Sequence, residues 1–204
     1  MKKSTLEKIW KTKTVAETRA LYAEWAAEYE ADMTLVGYVT PDRIARLAAG
    51  LVADLNAPVL DYGCGTGLSC QAMHRAGFTT LDGMDISPEM LAYAQSKNIY
   101  RAVIQGTAGS LGDIKPGDYG LIIAAGVISL GAAQPETLNL LLDHLASEGL
   151  LVFSYNQPTL NDPGFMDRLA AVQSAGIASL KAEESGPHMA AKGVKSTIFA
   201  LQKT

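Results

Sequence analysis

A chain of 204 residues with 48% hydrophobic and 19% charged residues suits one globular domain with a sizeable core and excludes a disordered or fibrous class. A formal net charge of −4 and a pI near 5.4 argue against a general nucleic-acid binder, because no basic surface is advertised. The charged start Met1–Lys8 lacks a signal-peptide core, no stretch approaches the ~20 apolar residues of a membrane span, and Cys64 and Cys70 make neither a zinc set nor a disulfide framework; a cytoplasmic protein without membrane partner or bound metal is expected.

Residues 1–13 have the Lys- and Thr-rich composition of a frayed terminus. A helix is predicted from about Val15 to Asp32, with Leu21, Tyr22, Trp25, Ala26 and Tyr29 on one face. Thr34–Val39 reads as a loop. Thr40 is placed to cap the next helix, Pro41 suits its first turn, and Ile44, Leu47, Ala48 and Leu51 make its apolar stripe.

The next stretch organises the chain. Val59-Leu60-Asp61-Tyr62 reads as a short buried strand, followed by Gly63, Gly65 and Gly67 at alternate positions. A helix from Leu68 to Ala76 follows, closed by Gly77. Glycines let a backbone turn tightly and approach a ligand, and a helix start offers free N–H groups. The spacing is G-x-G-x-G, with Leu68 where the dinucleotide fingerprint has its third glycine, and no Walker lysine follows. A second strand, Thr79–Asp85, ends in an acid about 20 residues beyond the loop, where doubly wound folds place a carboxylate for ribose hydroxyls.

Ser87 and Pro88 then open a helix with Met90, Leu91 and Ala94 facing inward. Tyr100–Gln105 reads as strand three, Gly106–Gly117 as a loop, and Leu121–Ala125 as a central parallel strand. After a loop over Gly126–Ala133, Pro135 opens a helix with Leu138, Leu141, Leu142 and Leu145 buried, stopped by Gly149. Leu150–Tyr155 is strand five, and a helix spans about Pro163 to Ser174. Ile177–Glu183 and Val194–Leu201 make a closing hairpin around Gly186-Pro187. Alternating strands and helices call for a parallel sheet with right-handed crossovers, and ligands in such sheets lie beyond the carboxyl ends of the strands.

Val59-Leu60-Asp61-Tyr62-Gly63-Cys64-Gly65-Thr66-Gly67 resembles the first motif of the class I S-adenosylmethionine (SAM) dependent methyltransferases. Gly83-Met84-Asp85-Ile86-Ser87-Pro88-Glu89-Met90-Leu91 resembles their second. The resemblance implies a small single-domain α/β protein with a doubly wound, mostly parallel seven-stranded sheet and an antiparallel edge strand. It implies a helical lid over residues 1–40 on a cofactor-binding domain over 41–204. SAM would be the cofactor, S-adenosylhomocysteine the product, and a small molecule the methyl acceptor.

By the same resemblance, Asp61, Gly63, Gly65 and Gly67 would line the methionine part of SAM, with Cys64 of the same loop among the cofactor-binding residues. Asp61 would either hold the cofactor's ammonium, directly or through water, or bond loop amides as a structural acid. Asp85 would accept from the ribose hydroxyls, and Ile86 would pack on adenine. Thr107 stands where many members have an acid near the adenine amine, so backbone groups of Thr107 or Ala108 are expected to serve it. Gly120 stands where many have Asp opening the fourth strand, whose last residue, Ala124, is expected to contact the cofactor.

Tyr22–Glu30 resembles the Y-x-x-W-A-x-x-Y-D/E lead-in of small methyltransferases, in which this helix covers the cofactor. Trp25, Tyr29, Tyr38, Tyr155 and Asn156 are the acceptor-pocket candidates. Tyr29, Tyr22 and His188 are the catalytic candidates, His188 from a hairpin loop over Gly186–Gly193. Two other readings stay open: a catalytically inert SAM-binding partner or regulatory protein, and a nucleotide-dependent oxidoreductase, which Leu68 disfavours. Monomer and homodimer both suit the sequence.

Overall fold

The computed structural model describes residues 14–204, so the expected fraying of residues 1–13 lies outside the described residues. Helix α1 (Val15–Val36) begins with a capping box. Thr14 Oγ1 accepts from the Glu17 N–H, and the Glu17 carboxylate accepts from the Thr14 N–H, both at 3.2 Å. Gly37, at φ +65°, ends the helix and donates to the Met33 and Thr34 carbonyls. The expected loop over 34–36 is therefore helical, because the chain runs on until a residue can take the left-handed turn.

Helix α2 (Thr40–Leu51) carries Pro41 in its first turn and buries Ile44, Ala45 and Ala48. Thr40 is its first residue and not its cap; Val39 holds the cap position and no side chain caps the helix. The central unit is β1 (Val59–Tyr62), the glycine loop and α3 (Leu68–Arg75). Then come β2 (Leu81–Asp85), α4 (Pro88–Ser96) and β3 (Ala102–Gln105). The Ser87 hydroxyl caps α4 by accepting from the Met90 N–H. Tyr100 stays outside β3.

Strand β4 (Tyr119–Ala124) leads through a long loop to α5 (Thr137–His144) and β5 (Leu145–Asn156). Helix α5 starts after Pro135, not at it, and passes into β5 at Leu145 without waiting for Gly149. Short α6 (Gln157–Leu160), α7 (Pro163–Ser174), β6 (Ala178–Met189) and β7 (Val194–Lys203) complete the chain.

The described strands form one seven-stranded sheet in the order β3-β2-β1-β4-β5-β7-β6. The first five run parallel, and β7 runs against both β5 and β6. From β1 the chain builds outward through β2 and β3, then crosses back to place β4 on the other side of β1. Val59 accordingly pairs with Leu81 on one side and Leu121 on the other. The carboxyl ends of β1 and β4 thus flank the topological switch point.

Side chains alternate across β4. Leu121 and Ile123 join Ile44, Ala48, Cys70 and Met73 of α2 and α3 on one face. Ile122 and Ala124 join Leu138, Leu141, Phe165 and Leu169 of α5 and α7 on the other. Neither of these two core clusters contains a residue of α1. That helix packs in a separate cluster, where Trp25, Met33 and Val36 meet Met189.

Candidate active site

The glycine loop leaves β1 toward the sheet edge. Gly63 is at φ +69°, and a Cβ there would lie 2.3 Å from a Val127 methyl, so only glycine fits. A Cβ on Gly65, at φ +53°, would meet nothing within 4 Å, because it would point into open space. The Gly65 N–H donates to Asp85 Oδ2 and the Ser87 N–H to Oδ1, each at 2.9 Å. Asp85 therefore ties the loop to the start of α4. Burial pushes its carboxyl up, and the N–H groups of Ser87, Gly65 and Ile86 pull it back.

Asp61 lies deeper, at 0% exposure. Its Oδ2 accepts from the Ser69 hydroxyl and the Tyr100 phenol, both at 2.5 Å. Its Oδ1 is buried with no hydrogen-bond partner among the described residues. Burial raises the carboxyl to about 6, against the pull of Ser69 and Tyr100. The partners are hydroxyls from α3 and from the turn before β3, not loop amides. An orphaned carboxylate oxygen behind a glycine loop suits a cationic ligand group.

Over this edge lies a cleft of about 420 Å³. Small-molecule sites run at roughly 300–1,000 Å³. One wall is Gly63, Gly65, Asp85, Ile86, Thr107, Ala108 and the segment 125–127. The opposite wall is aromatic, with Tyr22, Trp25 and Tyr29 from α1 and Tyr38 from the turn after it. Trp25 and Tyr29 meet edge to face at 4.9 Å, and Tyr22 stacks on Trp25 at 6.1 Å. Burial holds the cleft tyrosines Tyr22, Tyr29, Tyr38 and Tyr62 above the ordinary phenol range, so they stay protonated. His188 also lines the cleft. It is 5% exposed, its Nδ1 is 2.8 Å from Thr40 Oγ1, and the Tyr38 ring meets it edge-on at 5.2 Å. Burial, helped by the Arg43 charge, lowers its pKa to about 4, so the imidazole is neutral at pH 7.

A family model described as a methyltransferase domain matches residues 27–191. The chain belongs to the class I SAM-dependent methyltransferase family. Human methyltransferase-like protein 27 is 30% identical over 145 residues, which cover 68% of this chain and 57% of that protein. The chain thus matches little more than half the length of this curated relative. A TehB-like SAM-dependent methyltransferase from Corynebacterium glutamicum superposes with a TM-score of 0.63 at 19% identity, over 89% of this chain and 98% of that one. The 4+2 cyclase SpnF gives 0.60 at 17%, over 79% and 80%. Likeness at these identities is likeness of fold. No helix among the described residues is long and apolar enough to cross a membrane.

The methyltransferase cleft gathers Tyr22, Trp25, Tyr29, Tyr38, Gly63, Gly65, Asp85, Ile86, Thr107, Ala108, Asn156 and His188. Other expected residues fall outside it, Asp61 among them, fully buried behind the loop. Tyr155 is fully buried on the core face of β5, 5.0 Å from Phe153, 5.7 Å from Phe165 and 5.6 Å from Phe199. Ala124 is likewise interior, and Ala125 takes its place on the wall. A Cβ on Gly67 would meet Lys97 and Tyr100 at 3.3 Å, so this glycine makes room for packing behind the loop. Cys64 is buried and borders only a small side pocket beside Gly65, Thr66 and Ser69. His188 belongs to β6 and not to a loop.

Two residues that support the site carry no such signal in the sequence: Tyr100 reads as part of strand three and Thr40 as a helix cap. Nothing local in the sequence points either hydroxyl at Asp61 or His188, because each contact joins segments far apart in the chain.

Proposed function

We propose that this protein transfers a methyl group from SAM to a small-molecule acceptor held beneath α1. The carrying observation is the two-walled cleft, glycine loop and Asp85 on one side and a cluster of aromatics on the other. The open space at Gly65 and the orphaned Oδ1 of Asp61 suit SAM's methionine part and ammonium. When bound, SAM supplies an electrophilic methyl on a sulfonium centre. Asp85 would accept from the ribose hydroxyls, Ile86 would pack against adenine, and backbone groups at Thr107 and Ala108 would meet its edge.

The chain's own contribution is orientation and exclusion of water. Helix α1 serves as the lid of a segment spanning residues 1–40. Thr18 Oγ1 donates to the Gly131 carbonyl at 2.6 Å, and Lys97 pairs with Glu30 at 2.7 Å. These two contacts fasten α1 at separate points along its length. The cleft tyrosines are protonated and His188 is neutral, with a pKa too low for an effective base near pH 7. An acceptor that arrives ionised, or whose lone pair needs no prior deprotonation, suits this site.

Those same features favour a second reading, a SAM-binding protein that does not methylate. The test is turnover with methyl-labelled SAM against fractionated small-molecule extracts, beside calorimetry with SAM and NAD. Label transferred to a small molecule, with SAM bound and NAD not, is the expected result. SAM binding without transfer to any fraction would favour the second reading.

A further inference from the structure

His188 sits at the end of a hydrogen-bond chain that begins on a guanidinium. Arg43 Nη1 is 3.0 Å from Ser196 Oγ, Ser196 Oγ is 3.2 Å from Thr40 Oγ1, and Thr40 Oγ1 is 2.8 Å from His188 Nδ1. Thr40 is 0% and Ser196 1% exposed, so water does not complete their bonding. A guanidinium only donates, so Ser196 Oγ accepts from Arg43. The Ser196 proton then has Thr40 Oγ1 as its partner. Thr40 in turn gives its own proton to His188 Nδ1. Reversing the chain, with Nδ1–H donating to Thr40 and Thr40 to Ser196, strands the buried Ser196 proton without an acceptor. The satisfied arrangement leaves Nδ1 bare of hydrogen and puts the single imidazole proton on Nε2.

Nε2 has no partner among the described residues, and the ring lines the cleft beside Tyr38 and Met189. The frame behind it is cross-linked by hydrogen bonds. Arg43 also donates to the carbonyls of Glu184 and Pro187, which fixes β6 against α2. A Cβ on Gly186 would lie 2.8 Å from the guanidinium carbon, so glycine there admits the side chain.

We propose that His188 is an acceptor-recognition residue that presents Nε2–H as an uncharged donor to an oxygen lone pair of the small acceptor, with Thr40 as the residue that sets this tautomer. The acceptor class is a small molecule bearing a carbonyl or carboxylate oxygen, seated against the aromatic wall. The word acceptor rests on the methyl-transfer reading; the tautomer and the donor do not.

The experiment uses the full chain, labelled with nitrogen-15 and saturated with S-adenosylhomocysteine at pH 7. Long-range proton–nitrogen spectra resolve the three histidines, and His188→Gln identifies the His188 signals. The expected spectrum has a protonated Nε2 and an unprotonated Nδ1. Thr40→Ser should keep that pattern and Thr40→Val should lose it. Benzoate, benzamide and aniline are then titrated. Benzoate or benzamide should shift the Nε2–H resonance, which of the two telling carboxylate from carbonyl recognition, while aniline leaves it in place. His188→Leu should weaken the preferred oxygen probe about tenfold. An Nδ1–H tautomer in the unaltered chain, no response to either oxygen probe, an equal response to aniline, or unchanged probe affinity in His188→Leu would each overturn the proposal. Calorimetry with S-adenosylhomocysteine is scored separately: no binding there would sink the methyl-transfer reading and leave the tautomer result standing.

Discussion

The Tyr100 phenol donates to the Asp61 carboxylate at 2.5 Å, joining the turn before β3 to the central strand β1. It is one of two donors that keep this buried acid ionisable near neutral pH, Ser69 being the other. Tyr100→Phe should therefore raise the Asp61 pKa above its present value of about 6. Stability should fall on the order of 1–3 kcal/mol at pH 7.5, as for a lost bond to a buried charge. The loss should be smaller at pH 5, where Asp61 is mostly protonated in both proteins. Urea melts at the two pH values check this.

Asp61→Asn gives the opposite sign for folding. A carboxyl whose folded pKa is raised contributes stability that is fully present below its unfolded pKa of about 4 and is lost as pH rises through 6. Removing the charge should leave the variant at least as stable as the parent at pH 8, with the difference closing by pH 5. SAM affinity should drop all the same. Thermal melts across pH, beside calorimetry, separate the two effects; a variant less stable than the parent at pH 8 would contradict the burial argument.

Asp85→Ala removes the acceptor for the Gly65 and Ser87 N–H groups as well as the proposed ribose contact. The expected loss of SAM affinity is about 1.5–3 kcal/mol. Calorimetry reads it directly, and unchanged affinity would remove Asp85 from the cofactor site.

Two loop glycines should respond differently to the same substitution. Gly65→Val places its side chain in open space at a left-handed residue, so the protein should fold with a strain cost of about 1–3 kcal/mol and fail to bind SAM. Gly63→Val meets Val127 at 2.3 Å and should destabilise the fold itself. Melting curves and a binding isotherm on each variant give the comparison.

A protein beginning at Thr40 should still fold, because the two largest core clusters contain no residue of α1. It should keep some SAM affinity and lose methyl transfer, since the aromatic wall leaves with the helix. Tyr29→Ala should lower turnover more than it lowers the melting temperature. Full activity in the shortened protein would make α1 dispensable, and failure to fold would make it core.

The parallel sheet was readable because its signals are local: apolar runs, glycine stops and the Ser87-Pro88 start each act within a few residues. The G-x-G-x-G loop and Asp85 were readable for the same reason. Residues whose role is set by parity or by distant partners were not. β5 is buried over most of its length, so alternation gives no clue that Tyr155 faces the aromatic core while Asn156 reaches the cleft. Thr40 has the composition and place of a helix cap, and only the return of β6 and β7 beside α2 turns its hydroxyl to His188. The motif assigns Gly67 to the ligand, whereas its φ of +89° and the close side chains of Lys97 and Tyr100 are what favour a glycine there.

The opposing walls of the cleft come from stretches of chain that do not interleave. Residues from Tyr62 to Asn156 supply one, while α1, Tyr38, His188 and Met189 supply the other. The second set lies outside the five parallel strands, at the two extremities of the described chain. Exchange of those extremities between homologues would therefore redraw one wall and leave the other intact, which makes this scaffold suited to swapping substrate preference by grafting rather than by rebuilding its centre.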